Sequence, residues 1–240
     1  MTNYQTLDTE FLCSYPTYKG VWDFIKKAHG NQRRKTTAEC SIPYYYHPLK
    51  VLELVLNAHQ EPFEFLLPQK NKLPLFVPAL LHDVMEDTPY NSPLKIAYEL
   101  KSTVPSEYLD EILDVTAELT NPQDLTAQNK QKWQSEHAAK MSFNAKLVKM
   151  ADQISNVYDT YKLPTPWDYY KKCTYLQKAR SVHDACLIGT ENCPQLHGCF
   201  KILDEMGRKI YKNAENNFKI QHQENIKLGH LIKDYFQQSR

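Results

Sequence analysis

Apolar residues recur every three to four positions in six stretches of the chain: Val21 to Ala28, His47 to Ala58, Leu75 to Met85, Leu109 to Leu119, Ala145 to Tyr158 and Tyr169 to Leu187. At about 100° per residue this spacing gathers them on one face of a helix, and the period-2 alternation of half-buried strands is rare. Prolines stand near the proposed ends (Pro43, Pro62, Pro74, Pro89, Pro105, Pro122 and Pro164), where a residue without an N–H is tolerated. The pattern predicts an all-α protein, a globular bundle of about eight to ten helices. Residues 1–16 are weakly periodic and read as an N-terminal extension, leaving residues 17–212 as the main domain. From about Asn213 the chain turns to Asn, Gln, Lys and His, with Ile220, Ile226, Leu231, Ile232 and Phe236 as sparse apolar positions. Residues 213–240 therefore read as a polar C-terminal helix or tail that docks on the bundle or on a second subunit.

A chain of 240 residues, 42% of them hydrophobic, can bury one substantial core, so a single active site is expected. With 29 basic and 28 acidic residues the net charge is +1, which gives no general attraction to nucleic acid or to an anionic membrane. No stretch approaches the ~20 consecutive apolar residues of a membrane span. The N-terminus MTNYQTLDTEF lacks the charged start and apolar run of a signal peptide. A cytoplasmic protein with no membrane or nucleic-acid partner is the expectation, and the oligomeric state stays open. The six cysteines, Cys13, Cys40, Cys173, Cys186, Cys193 and Cys199, show no CxxC spacing and read as packing thiols rather than a zinc site. Neither GxGxxG nor GxxxxGK[ST] occurs, so any phosphate chemistry must rely on side chains and metal.

Four segments carry candidate chemistry. In Ala79-Leu80-Leu81-His82-Asp83-Val84-Met85-Glu86-Asp87-Thr88 a polar quartet closes an apolar helix; on one continuous helix Glu86 lies a turn from His82 and Asp83, and Asp87 a turn from Asp83, so the four can converge on a cleft. The plain alternative is a surface pair. Asp152 stands among Leu147, Val148, Met150, Ala151, Ile154 and Val157, with Asn156 one turn on; a carboxylate there needs a metal or a rescuing partner, for which Lys149 is the local alternative. His47 precedes Pro48 at the mouth of an apolar helix, where proline at the first turn sets the chain direction and hence the imidazole, although a capping histidine reads the same way. Upstream, Arg33-Arg34-Lys35 reads either as a solvated basic loop or as a phosphate contact.

The order of these pieces says more than any one of them. Arg34-Lys35, then His47-Pro48-Leu49-x-Val51, then ALLHDxxEDT over His82 to Thr88, then KLxKxADxxxN over Lys146 to Asn156 resembles the hydrolase domain of the RelA/SpoT family, and most of all its small single-domain alarmone hydrolases of the MESH1 type. The resemblance spans roughly residues 20 to 200. It implies an HD-type helical fold and a metal-dependent phosphohydrolase that removes the 3′-pyrophosphate from (p)ppGpp, a small-molecule nucleotide. It also implies one divalent metal, usually Mn²⁺, held by His47, His82, Asp83 and Asp152; a catalytic acidic pair, Glu86 and Asp87; and nucleotide contacts from Arg34, Lys35 and Asn156. The donor set agrees by itself: two imidazoles and two carboxylates suit Mn²⁺, Fe²⁺ or Zn²⁺ and leave positions open for water and a phosphate oxygen.

The chain also departs from the family. Gln153 follows the metal-binding aspartate where Lys or Arg is usual, removing a positive charge expected near the polyphosphate. The loop Thr36 to Ile42 lacks the common Gly-Pro-Tyr form. Two alternatives stay open: the same machinery acting on another nucleotide, such as the 2′-phosphate of NADPH, or a non-catalytic alarmone-binding module. The presence of all four ligands and both acids argues against the second.

Overall fold

The computed structural model describes residues 7–35, 41–162, 167–218, 228 and 230–234. Pro164, Cys40, Ile220, Ile226 and Phe236 lie outside the described residues. Helices run in the order α1 Thr9–Cys13, α2 Pro16–His29, α3 Tyr46–Ala58, α4 Phe63–Leu66, a 3₁₀ turn Lys70–Lys72, α5 Leu73–Leu81, α6 Val84–Asp87, α7 Pro93–Leu100, α8 Ser106–Leu119, α9 Ala127–Ala138, α10 Phe143–Lys162, α11 Tyr169–Leu187 and α12 Pro194–Phe218. Among the described residues there is no strand, only an isolated bridge between Arg33 and Pro43. The all-α expectation holds, and the described residues form twelve named helices rather than eight to ten. α1, α4 and α6 are single turns of five, four and four residues, too short for an apolar repeat to register.

Every residue of α5 is buried, and α5 packs against α2, α3, α8 and α10. An all-apolar helix belongs at the centre of a bundle, where no face meets water. Pro78 inside it has no N–H to give the carbonyl of Pro74; that carbonyl instead accepts from the Asn144 side chain of α10 at 3.5 Å, which ties α5 to α10. α10 lies against α3, α11 and α12. Asp168 caps α11 by accepting from Lys171 N at 2.7 Å, the usual service of an aspartate ahead of a helix.

At the chain ends, Leu7 and Leu12 are buried in the core, as are Leu228 and Ile232. α12 continues past Asn213 to Phe218. Cys173, Cys186 and Cys199 are buried free thiols. No described helix is long and apolar enough to cross a membrane.

The stretch Leu75 to Met85, expected as one helix, is two. His82 and Asp83 form a turn between α5 and α6. In an unbroken helix adjacent side chains diverge by about 100°. The break removes that constraint, and both residues turn toward the same point.

Candidate active site

Three separate elements bring four side chains together. His47 is the second residue of α3, His82 and Asp83 sit in the turn ahead of α6, and Asp152 lies midway along α10. The Nε2 atoms of His47 and His82 are 3.2 Å apart. Asp152 Oδ1 is 3.2 Å from His47 Nε2 and 3.7 Å from His82 Nε2, and Asp83 Oδ2 is 3.5 Å and 3.0 Å from the same two atoms. The far nitrogens are occupied: His82 Nδ1 donates to the Ala79 carbonyl at 3.0 Å, and His47 Nδ1 lies 3.0 Å from Ser155 Oγ. A carbonyl can only accept, so the neutral His82 carries its proton on Nδ1 and turns the Nε2 lone pair inward, as outer partners do for metal-binding imidazoles.

Two lone pairs and two carboxylates converging in a buried space repel one another unless a cation lies among them. The titration of the groups says the same. Burial alone would lower the pKa of His82, but the charge and hydrogen bond of Asp83, with Asp152 beyond, raise it to about 9. Burial, aided by the positive charge of Arg34, lowers His47. Burial would raise both carboxyls, yet the imidazoles hold Asp83 well below the usual range, and Lys149 with His47 does so for Asp152. His47, His82 and Asp83 present ligand atoms within 4.8 Å of one another, with Asp152 closing on both imidazoles. The residues fit a divalent metal.

Asp152 is also gripped from its own helix. Asn156 Nδ2 donates to Oδ1 at 2.5 Å and Gln153 Nε2 to Oδ2 at 3.1 Å, while Lys149 Nζ is 3.5 Å from Oδ2. The Lys149 rescue and the inward-facing carboxylate, set apart as alternatives above, coexist. Gln153 is buried, at 9% exposure, and does not line the cleft. At the position where a charge was expected near the polyphosphate, the Gln153 amide is turned to Asp152 and orients it.

The acidic pair divides. Asp87 lines the cleft, and burial, with the charges of Asp83 and Glu86, raises its pKa. Glu86 is held on the other side by the Lys130 ammonium of α9 and by Asn121, whose N and Nδ2 donate to Oε2 at 3.3 and 2.5 Å. Arg34 reaches Asp159 Oδ2 through Nε and Nη2 at 2.9 and 2.7 Å and Asn156 Oδ1 at 2.6 Å, and its guanidinium lies 5.3 Å from the Tyr44 ring centroid. The cleft beside these groups has a volume of about 420 Å³, with Arg34, Lys35, Asn156, Trp167 and Tyr175 among its walls.

Residues 44–157 match the HD domain family. The protein carries an HD domain. Its relatives include the guanosine-3′,5′-bis(diphosphate) 3′-pyrophosphohydrolase MESH1 of Drosophila melanogaster, 29% identical over 176 residues that span 72% of this chain and 87% of that protein, and MESH1 of Xenopus tropicalis, 28% identical over 67% of this chain and 79% of that protein. A solved structure, of a metazoan ortholog of SpoT that hydrolyses ppGpp, superposes with a TM-score of 0.62 at 28% identity, covering 80% of this chain and 94% of its own.

Several site groups, some of them beyond the matched residues, escaped the reading of the sequence. Asp159 follows Asp152 and Asn156 at helical spacing on one face of α10, a signal that was present. Tyr44 is one of three consecutive tyrosines, and nothing in the sequence separates it from Tyr45 and Tyr46. Lys130 joins Glu86 across 44 residues, and Trp167 and Tyr175 come to the cleft only through the placement of α11.

Proposed function

We propose that the protein is a metal-dependent phosphohydrolase that removes the 3′-pyrophosphate from (p)ppGpp, giving GDP or GTP and pyrophosphate. The observation that carries this reading is the His47, His82, Asp83 and Asp152 constellation in an HD domain, joined through Tyr44 and Asn156 to a neighbouring cleft lined with cationic and aromatic groups. A divalent ion held by those four residues, Mn²⁺ by the family resemblance and Fe²⁺ or Zn²⁺ as alternatives, would neutralise phosphate charge and polarise the phosphoryl group.

The chain's own residues supply the remainder. Asp87, with its raised pKa and its place on the cleft wall, takes the proton of the attacking water as the bond from phosphorus to the ribose 3′ oxygen breaks, and the 3′ oxygen leaves as a hydroxyl with a proton from solvent. Glu86 adds a fixed negative charge, held by Lys130 and Asn121, that favours proton uptake at Asp87. Lys35 offers an ammonium to the polyphosphate. Arg34, pinned by Asp159, presents a flat cation near the base, and Asn156 stands where a ribose hydroxyl can be met. Most of this is positioning and charge stabilisation, the bulk of what a protein does in phosphoryl transfer. Residues 17–212 carry the activity, with 1–16 and 213–240 adding Leu7, Leu12, Leu228 and Ile232 to the same core, and the substrate is a soluble cytoplasmic alarmone.

The test is a product assay with purified, Mn²⁺-loaded protein against (p)ppGpp, NADPH and ordinary nucleoside triphosphates. Pyrophosphate release from (p)ppGpp is the expected result. Phosphate release from NADPH alone would move the reading to the 2′-phosphate, and (p)ppGpp binding without turnover would make the protein a binding module.

A further inference from the structure

Tyr44 has no part in the mechanism so far, yet its hydroxyl stands between the two halves of the site. Its Oη is 2.7 Å from Asp83 Oδ2 and 3.1 Å from Asp87 Oδ2. The ring is fixed on several sides: His29 lies 4.8 Å away, tilted by 31°, the Arg34 guanidinium is 5.3 Å from the ring centroid, and His47 meets it edge-on at 5.8 Å. The backbone is fixed too. Tyr44 N donates to the Gln32 carbonyl at 3.0 Å, and the Gln32 side chain joins His29 Nδ1 at 2.8 Å and donates to the Asp87 carbonyl at 2.6 Å. One clamp at the end of α2 thus sets Tyr44 and Asp87 relative to each other.

A phenol has one hydrogen and can also accept. Given to Asp83 Oδ2, the shorter contact, that hydrogen leaves the Tyr44 oxygen lone pairs facing Asp87 Oδ2. Ionised Asp87 offers nothing to them. Once Asp87 has taken the proton of water, its O–H can donate to Tyr44, and the chain Asp87 to Tyr44 to Asp83 is complete. We infer that Tyr44 is a positioning residue that couples the base Asp87 to the ligand Asp83, standing ready to receive the Asp87 hydrogen bond once Asp87 has taken up a proton. This rests on the hydrolase reading, in which Asp87 is the base.

Tyr44→Phe keeps the ring and its packing and removes the oxygen. The experiment measures kcat and KM for ppGpp, Mn²⁺ content and ppGpp binding by calorimetry for wild type, Tyr44→Phe, Asp87→Asn and the double variant, with Tyr45→Phe as a control because Tyr45 packs on Trp22 at 5.6 Å. The expected result is a fall in kcat of roughly 10- to 100-fold in Tyr44→Phe, the size of one hydrogen bond to a charged group, with KM within about twofold and metal content unchanged. Because the coupling acts through Asp87, the double variant should be no slower than Asp87→Asn. An unchanged kcat, a matching loss of metal, or additive losses in the double variant would each overturn the coupling while leaving the hydrolase reading intact. A metal-loaded wild type inert toward ppGpp would overturn both.

Discussion

Acidification should weaken this fold through a histidine outside the catalytic set. His183, fully buried in α11, donates from Nε2 to the Met150 carbonyl of α10 at 3.1 Å, two residues before Asp152. Its Nδ1 is buried with no partner among the described residues. Burial lowers its pKa to about 3, against about 6.5 in an unfolded chain. The folded state therefore binds fewer protons than the unfolded one, and stability is lost as pH falls from about 6.5 toward 3. At about 1.36 kcal/mol per pH unit, moving from pH 7 to pH 5 costs about 2 kcal/mol through this residue alone. His183→Gln keeps a donor for Met150 and has no charge to gain. Urea unfolding of wild type and variant at pH 7 and pH 5, at equal metal concentration, isolates the effect, because the titrating metal ligands contribute equally to both. The wild type should lose about 2 kcal/mol more than the variant over that interval. Equal losses would show that His183 already binds a proton in the fold or is not buried as described.

Further predictions concern the site. His82→Ala should lower bound metal and turnover in proportion, measured by elemental analysis beside pyrophosphate release; full occupancy in this variant would remove His82 from the ligand set. Arg34→Ala should raise KM for ppGpp more than it lowers kcat, and Asp159→Asn, which loosens the grip on Arg34, should move KM the same way by less; an unchanged KM in both takes Arg34 out of nucleotide recognition. Gln153→Lys should fail to tighten ppGpp binding and should weaken metal retention, because the side chain it replaces is turned to Asp152. A rise in nucleotide affinity with steeper salt dependence would show instead that position 153 faces phosphate.

Residues whose chemistry clashes with their surroundings were legible from the chain alone. His82 and Asp83 interrupt an apolar run, Asp152 breaks an apolar helix face, and His47 stands before a proline; each had a plain alternative by itself, the family resemblance joined them, and all four converge in the fold. What stayed hidden depends on directions that periodicity does not encode. The turn at His82–Asp83 is invisible to a pattern that reads Leu75 to Met85 as one helix. Glu86 and Asp87 are neighbours in sequence, yet one faces Lys130 and the other the cleft, a division set by where α9 lies. Gln153 was read by the charge it lacks, whereas its role follows from a hydrogen bond to the preceding side chain. Tyr44 was indistinguishable from its neighbours until the close of α2 placed its hydroxyl.

The turn between α5 and α6 also separates two properties that an unbroken helix would have locked together. His82 and Asp83 precede α6, whereas Asp87 sits at its far end, with only the four residues Val84 to Asp87 in the helix. One residue inserted there would rotate Asp87 by about 100° away from the cleft and leave the metal ligands untouched. In the proposed mechanism, holding the nucleotide and hydrolysing it then rest on different segments of the chain, and the insertion of a single codon between them would part the two.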